Sequence, residues 1–204
     1  MSMPTAADFD ASYADEQFRR SRDPLRRLVK GFYLRNMLRD IEGPTIDFGC
    51  GAGQLLRRLP PGSMGIELNP HLVDALRAEG LHVLPAHGDM LDFDLPGFEG
   101  QRYRSLVIAH VLEHLSKPDE AILRLLSACR RLGIRRVVAV VPGEKGFRSD
   151  RTHRTFIDAA WLRAHPLPPK SGFRLRKPQY FPGPALLGPY FIFHEMKLVL
   201  DAED

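Results

Sequence analysis

Residues 45–53 read Thr-Ile-Asp-Phe-Gly-Cys-Gly-Ala-Gly, a short apolar run with one acid in it, then glycines at alternate positions. Few other stretches restrict a fold so tightly. The run is strand-like, and Gly49, Gly51 and Gly53 let the chain turn sharply and bring backbone amides close to a ligand. A helix-like segment at 54–58 is expected to start there, carried to about Leu59 and broken by Pro60-Pro61-Gly62. A strand, a glycine loop and a helix in that order mark a nucleotide-type site at the carboxyl end of a parallel sheet. The dinucleotide pattern G-x-G-x-x-G needs glycine at 54, where this chain has Gln54. Its pattern is G-x-G-x-G, with Asp47 two residues ahead of the first glycine.

The remaining elements follow from apolar runs and their breakers. A helix is predicted from Asp23-Pro24, with Leu25, Leu28, Val29, Phe32 and Met37 on its apolar face and Gly43-Pro44 at its end. Strands are expected at 45–48, 63–68, 81–85, 103–109 and 134–141, alternating with helices over about 70–79 and from Lys117 to Gly133. Mostly apolar strands alternating with helices argue for a parallel sheet covered on both faces. Beyond Pro142 a polar loop at 143–154, a short helix at about 156–164 and a final strand candidate at 190–200 complete the chain.

The 204 residues, 44% hydrophobic and 26% charged, suit one domain spanning 1–204. Its ends are read as an N-terminal arm and helix over 1–40 that cover the site, and an acceptor-side loop and helix over 143–189. No run reaches membrane-span length. Two cysteines, Cys50 and Cys129, make no disulfide framework, and a cytoplasmic setting is expected. The net charge is +4, concentrated in an N-terminal group (Arg19, Arg20, Arg22, Arg26, Arg27, Lys30) and a late group from Arg148 to Lys177. These suit either a nucleic-acid surface or solvated helix faces, and the second is favoured.

G-x-G-x-G after Thr-Ile-Asp-Phe resembles motif I of the class I S-adenosylmethionine (SAM) methyltransferases of the small-molecule, type 11/12-like kind. Three further strings extend the resemblance. Glu67 ends the second strand 20 residues after Asp47 in Gly-Ile-Glu-Leu-Asn-Pro, the place of a ribose-binding acid. Gly88-Asp89-Met90 follows the third strand, and Val-Ile-Ala-His110-Val-Leu-Glu113-His114-Leu follows the fourth. The resemblance implies a Rossmann-like, doubly wound, seven-stranded, mostly parallel sheet closed by a β6/β7 antiparallel edge. It implies SAM as cofactor, with S-adenosylhomocysteine (SAH) as product. Its cofactor residues would be Asp47, Gly49, Cys50, Gly51, Gly53, Glu67, Leu68, Asp89, Met90 and His110. Asp47 suits a ligand with cationic amino and sulfonium groups and no pyrophosphate.

His110-x-x-Glu113-His114 also matches the H-x-x-E-H of the inverted zinc peptidases. Those histidines must share a helix, whereas His110 stands at a strand exit, and no metal is expected. His114 and His153 are the candidate general bases, His153 within Arg148-Ser-Asp-Arg-Thr-His-Arg-Thr-Phe156. The implied activity is methyl transfer to a small-molecule or metabolite nucleophile, anionic and phenolic acceptors among them. The alternatives are a tRNA or rRNA methyltransferase using the basic groups, or a non-catalytic SAM-binding protein. An Asn/Asp-Pro-Pro-Tyr after strand four, and a strand-four cysteine, are both absent, which disfavours exocyclic-amine and pyrimidine-C5 chemistry.

Overall fold

A computed structural model describes residues 24–86, 92–167 and 171–203. Asp89, Met90 and the arm before Pro24 lie outside the described residues. Helix α1 (Pro24–Leu38) leads into strand β1 (Thr45–Phe48), and after the glycine loop come β2 (Met64–Glu67), α2 (Pro70–Ala78) and β3 (Val83–Pro85). Strand β4 (Ser105–Ala109), α3 (Pro118–Arg131) and β5 (Arg136–Pro142) complete the regular alternation. Then follow α4 (Glu144–Arg148), α5 (Ala159–Ala164), β6 (Phe173–Leu175), β7 (Gln179–Phe181) and β8 (Glu195–Ala202).

The sheet order is β3-β2-β1-β4-β5-β8-β6, with β7 also on β8. Strands β1 to β5 are parallel, and β8 runs antiparallel to β5 along its whole length. Eight strand segments fill seven lanes, because β6 and β7 share one edge. β6 pairs with Leu200–Ala202 at one end of β8 and β7 with Glu195–Lys197 at the other. Arg176 bridges the gap by donating its amide to the Val199 carbonyl. The expected antiparallel close is therefore present.

Side-chain alternation along the strands divides the core between the two faces. Ile46, Phe48, Leu106, Ile108, Val137 and Ala139 pack with Leu125, Leu126 and Cys129 of α3. Val107, Val138 and Val140 meet Leu34 and Met37 of α1 on the opposite face. α1 is further tied to β8 by Lys197, a buried lysine that donates to the Asn36 carbonyl, to Asn36 Oδ1 and to Asp40 Oδ2 at 2.5–3.0 Å.

Three local expectations need correction. The segment after the glycine loop forms only a three-residue 3-10 turn, Leu56–Arg58, so no α-helix N-terminus stands there. Pro60 and Pro61 follow too closely for a helix to repay its nucleation. The last strand starts at Glu195, not near 190, because the Leu187 carbonyl takes the amides of Tyr190 and Phe191 and holds that aromatic run in a turn. The loop after β5 contains the short helix α4, and α5 is confined to Ala159–Ala164 by the Asp158 cap, whose side chain accepts from Trp161.

Among the described residues no helix is long and apolar enough to cross a membrane.

Candidate functional site

In the sheet order the chain leaves β1 toward β2 on one side and later returns to β4 on the other, so the crevice between them is the switch point. The glycine loop lies there. Gly49, Gly51 and Gly53 have φ of 77°, 53° and 70°. At Gly53 a Cβ would also come within 2.6 Å of Leu76 Cδ2, so this glycine lets α2 pack against the loop. A Cβ at Gly51 would meet nothing within 4 Å; only its left-handed conformation demands glycine. The amides of Gly49 and Cys50 both donate to the Ile66 carbonyl, which anchors the loop to β2.

Two carboxylates converge beneath this loop. Asp47 pairs with Gly65 in the parallel register, and Glu67 ends the same strand two residues on, directed to the same face. Glu67 is buried, and its Oε2 accepts from the Gly51 amide while Oε1 accepts from those of Leu68 and Asn69, at 2.7–2.9 Å. Burial raises its pKa, and those amides pull it back. Glu67 thus fastens the glycine loop to the start of α2, a structural duty the sequence did not suggest. Asp47 is also buried, and its Oδ2 has no hydrogen-bond partner. Burial first, and the nearby Glu67 charge second, push its pKa up to about 7. A buried acid with a free oxygen is costly unless a ligand with positive character meets it.

Cys50 turns inward. A Cβ on Gly65 would lie 2.6 Å from the Cys50 thiol, and burial raises that thiol's pKa. Cys50 can therefore reach a ligand only through its backbone. Leu68 contributes its amide to Glu67.

At the end of β4, His110 has φ of 57°, unusual for a residue with a side chain, and its amide donates to the Val140 carbonyl. The turn throws its ring between two carboxylates: Nδ1 lies 3.2 Å from Glu113 Oε1 and Nε2 2.9 Å from Glu195 Oε1. Burial works to lower the pKa of His110, but Glu195 and Glu113 together raise it to about 10. The imidazolium therefore donates from both nitrogens. The following 3-10 turn, Leu112–His114, sends Glu113 fully into the interior, where its Oε2 has no partner.

His114 and His153 meet here from different loops, ring centres 4.7 Å apart. Sequence separation hid this pairing. The Thr152 hydroxyl donates to Asp150 Oδ1 at 2.6 Å, so it can only accept from His114 Nδ1 at 3.0 Å. His153 Nδ1 donates to the Phe147 carbonyl at 2.8 Å. Burial lowers the pKa of His114, which favours its neutral form with a lone pair on Nε2. Thr152 and Phe147, which orient both rings, were not anticipated from sequence.

A family model for methionine biosynthesis protein MetW matches residues 32–146, more than half of the chain and all of the glycine loop, Glu67 and the β4 turn. The chain belongs to the MetW family. No match was found among curated proteins. Solved structures share the architecture of this MetW-family chain over nearly its full length. A chain from the complex of the Haloferax volcanii Trm112 methyltransferase activator with a methyltransferase is 16% identical, with a TM-score of 0.69 and 98% of each chain covered. Magnesium protoporphyrin IX methyltransferase from Synechocystis, solved with bound SAH, is 15% identical, with a TM-score of 0.63 and coverage of 97% and 98%. The N-methyltransferase NodS from Bradyrhizobium japonicum, also with SAH, is 14% identical, with a TM-score of 0.60 and 91% of each chain covered. The MetW-family chain thus has the class I SAM-dependent methyltransferase fold.

A separate cavity of about 570 Å³ lies under α5, lined by Ile122, Trp161, Leu167, Phe173 and Leu198 among others. Its lining includes Leu112, which opens the turn carrying Glu113 and His114, but no residue of the glycine loop.

Proposed function

We propose that this protein is a SAM-dependent methyltransferase acting on a small-molecule nucleophile. The observation that carries the reading is the buried Asp47 carboxylate beneath the glycine loop, whose Oδ2 has no hydrogen-bond partner. Its neighbour Glu67 stands at the end of β2, the position that suits ribose hydroxyls, and Oε2 keeps an acceptor lone pair beyond the Gly51 amide. SAM brings an amino group and a sulfonium to such a site, both favoured by carboxylates in a low-dielectric crevice. Gly49, Gly51 and Gly53 would face the donor through backbone, with Asp89 and Met90 on the adenine side as the family pattern places them.

His110 directly follows β4, which pairs with β1, so the β4 turn would stand next to the methyl group. The acceptor would then enter between this turn and the loop after β5. Transfer is an in-line displacement: the nucleophile bonds to the methyl carbon as the carbon–sulfur bond breaks, and the electron pair stays on sulfur. Alignment and exclusion of water supply much of the rate, because the thioether leaves readily. With Nδ1–H engaged elsewhere, Nε2 of His114 or of His153 can receive a proton from an acceptor held there.

The RNA-directed alternative draws less support. Arg148 pairs with Glu144, and Arg176 with Asp201 and Asp40. Elsewhere Arg124 pairs with Asp94 and Arg131 with Glu99. Two arginines of the late basic group, Arg148 and Arg176, are thereby answered within the fold.

The test is an acceptor screen that follows SAH release by the purified protein. Turnover with a small hydroxylated or amine-bearing metabolite, lost in Asp47→Asn, supports the reading. SAM binding with no turnover on any acceptor class would reassign the protein as a SAM-binding protein.

A further inference from the structure

The cluster beyond β4 has features that a pair of general bases does not require. Glu113, His114 and His153 each place a donor atom within 4.8 Å of the other two. Glu113 divides its duties: Oε1 receives His110, while Oε2 is buried with no hydrogen-bond partner. Both imidazoles have Nδ1–H committed outward, His114 to Thr152 and His153 to the Phe147 carbonyl. In the neutral form each then offers Nε2 as a lone-pair donor. His153 Nε2 already lies 3.9 Å from Glu113 Oε1. Outer partners that fix Nδ1–H are how proteins hold metal-binding histidines, and a ligating carboxylate is itself hydrogen-bonded, as His110 does for Glu113.

We infer that Glu113, His114 and His153 form a binding site for a divalent first-row transition cation, zinc being the best chemical match. Two imidazoles and one carboxylate suit zinc and its neighbours better than magnesium or calcium, which prefer oxygen donors throughout. The ligand set differs from that of the H-x-x-E-H peptidases. His110, first in that string, is engaged by Glu113 and Glu195 and holds the carboxylate in place; the third ligand is His153, delivered by the loop after β5. Three protein ligands leave a coordination position for an exogenous oxygen.

This assignment deepens the methyltransferase reading and its catalytic part rests on it. A cation at the acceptor side would select acceptors with a hydroxyl able to ligate it. Lewis-acid polarisation lowers the hydroxyl pKa, so its proton passes to water and the oxygen remains as a metal-held nucleophile. The oxygen–carbon bond then forms as the carbon–sulfur bond breaks, with the electron pair retained on sulfur as a neutral thioether. His114 and His153 would then act as ligands and not as bases.

The test uses the full chain, stripped with a chelator and titrated with zinc against a chromophoric competitor, with SAM binding measured separately on the same protein. One zinc per chain is expected, abolished in Glu113→Gln and His153→Ala and retained in His165→Ala, whose ring stacks on Trp161 outside the cluster. Thr152→Val removes the partner of His114 Nδ1 together with the hydroxyl's bond to Asp150, keeps the ligands, and is expected to weaken binding by about 10-fold or more. Cobalt substitution gives a visible absorption band as a second readout, should Glu113→Gln fail to fold. Absence of stoichiometric zinc binding, or binding indifferent to these substitutions, overturns the site. A protein that binds SAM but not zinc refutes the metal alone, and one that binds zinc but not SAM refutes the methyltransferase reading alone.

Discussion

Asp47 and Glu67 sit on adjacent strands and face the same crevice, yet they carry different loads. Glu67 has three backbone donors, and Asp47 has an oxygen with none. The consequence for Asp47 is a pH-dependent stability. Its pKa in the folded state is raised from 3.8 to about 7, so the folded state holds the proton more tightly than the unfolded chain. The stabilisation is complete below pH 3.8 and is lost as pH rises through 7, at up to about 1.4 kcal/mol per pH unit. Asp47→Asn is therefore expected to melt higher than the parent at pH 7.5 in the absence of ligand, and the gap to close toward pH 4; thermal melts across that range check it. Glu67→Ala, by contrast, strands the amides of Gly51, Leu68 and Asn69 and is expected to destabilise the fold by about 1–3 kcal/mol in urea unfolding. The spacing of both acids was legible in the sequence, because an acid on an apolar strand and another after the next strand stand out. Their distinct hydrogen-bond duties were not, since backbone amides leave no mark in side-chain identity. The same holds for His114 and His153: each was visible as a titratable residue, but their meeting depends on a loop path and on the Phe147 carbonyl.

At the level of elements, the glycine motif was read correctly as a loop and incorrectly as the prelude to a helix. Gly51 and Gly53 show that one pattern hides two reasons, and substitution separates them. Gly53→Ala adds a clash with Leu76 to a φ of 70°, whereas Gly51→Ala adds strain alone. The first is expected to cost more than the second, about 2–4 against about 1–2 kcal/mol, in denaturant titrations. The regular β/α alternation was readable from apolar runs ended by glycine and proline. The C-terminal third was harder: Tyr190, Phe191, Ile192 and Phe193 look like strand residues but are held in a turn by Leu187. β6 and β7 are three residues each and are defined by pairing with β8, a long-range contact that no local pattern encodes.

Across the whole molecule, α1 and the antiparallel edge depend on one another through a buried cation. Lys197 of β8 reaches Asn36 and Asp40 behind α1, and Asp40 also faces Arg176. Removing one partner of such a pair leaves an uncompensated charge, so Asp40→Ala is expected to lose about 3–5 kcal/mol in urea unfolding. The pairing of Arg124, Arg131, Arg148 and Arg176 within the fold makes a second molecule-wide expectation: retention on an RNA column should not depend on salt. Sequence composition displayed the basic excess but could not display its partners, which come from distant segments such as Asp92, Asp94 and Glu99.

Methyl transfer by this protein depends first on the donor site. Calorimetric titration of the folded protein with SAM and with SAH tests it most directly. One ligand per chain is expected in both cases, with SAM binding weakened in Asp47→Asn and SAM and SAH binding both weakened in Glu67→Ala. Absence of binding to either ligand by the folded protein, or binding that Asp47→Asn and Glu67→Ala leave unchanged, would contradict it.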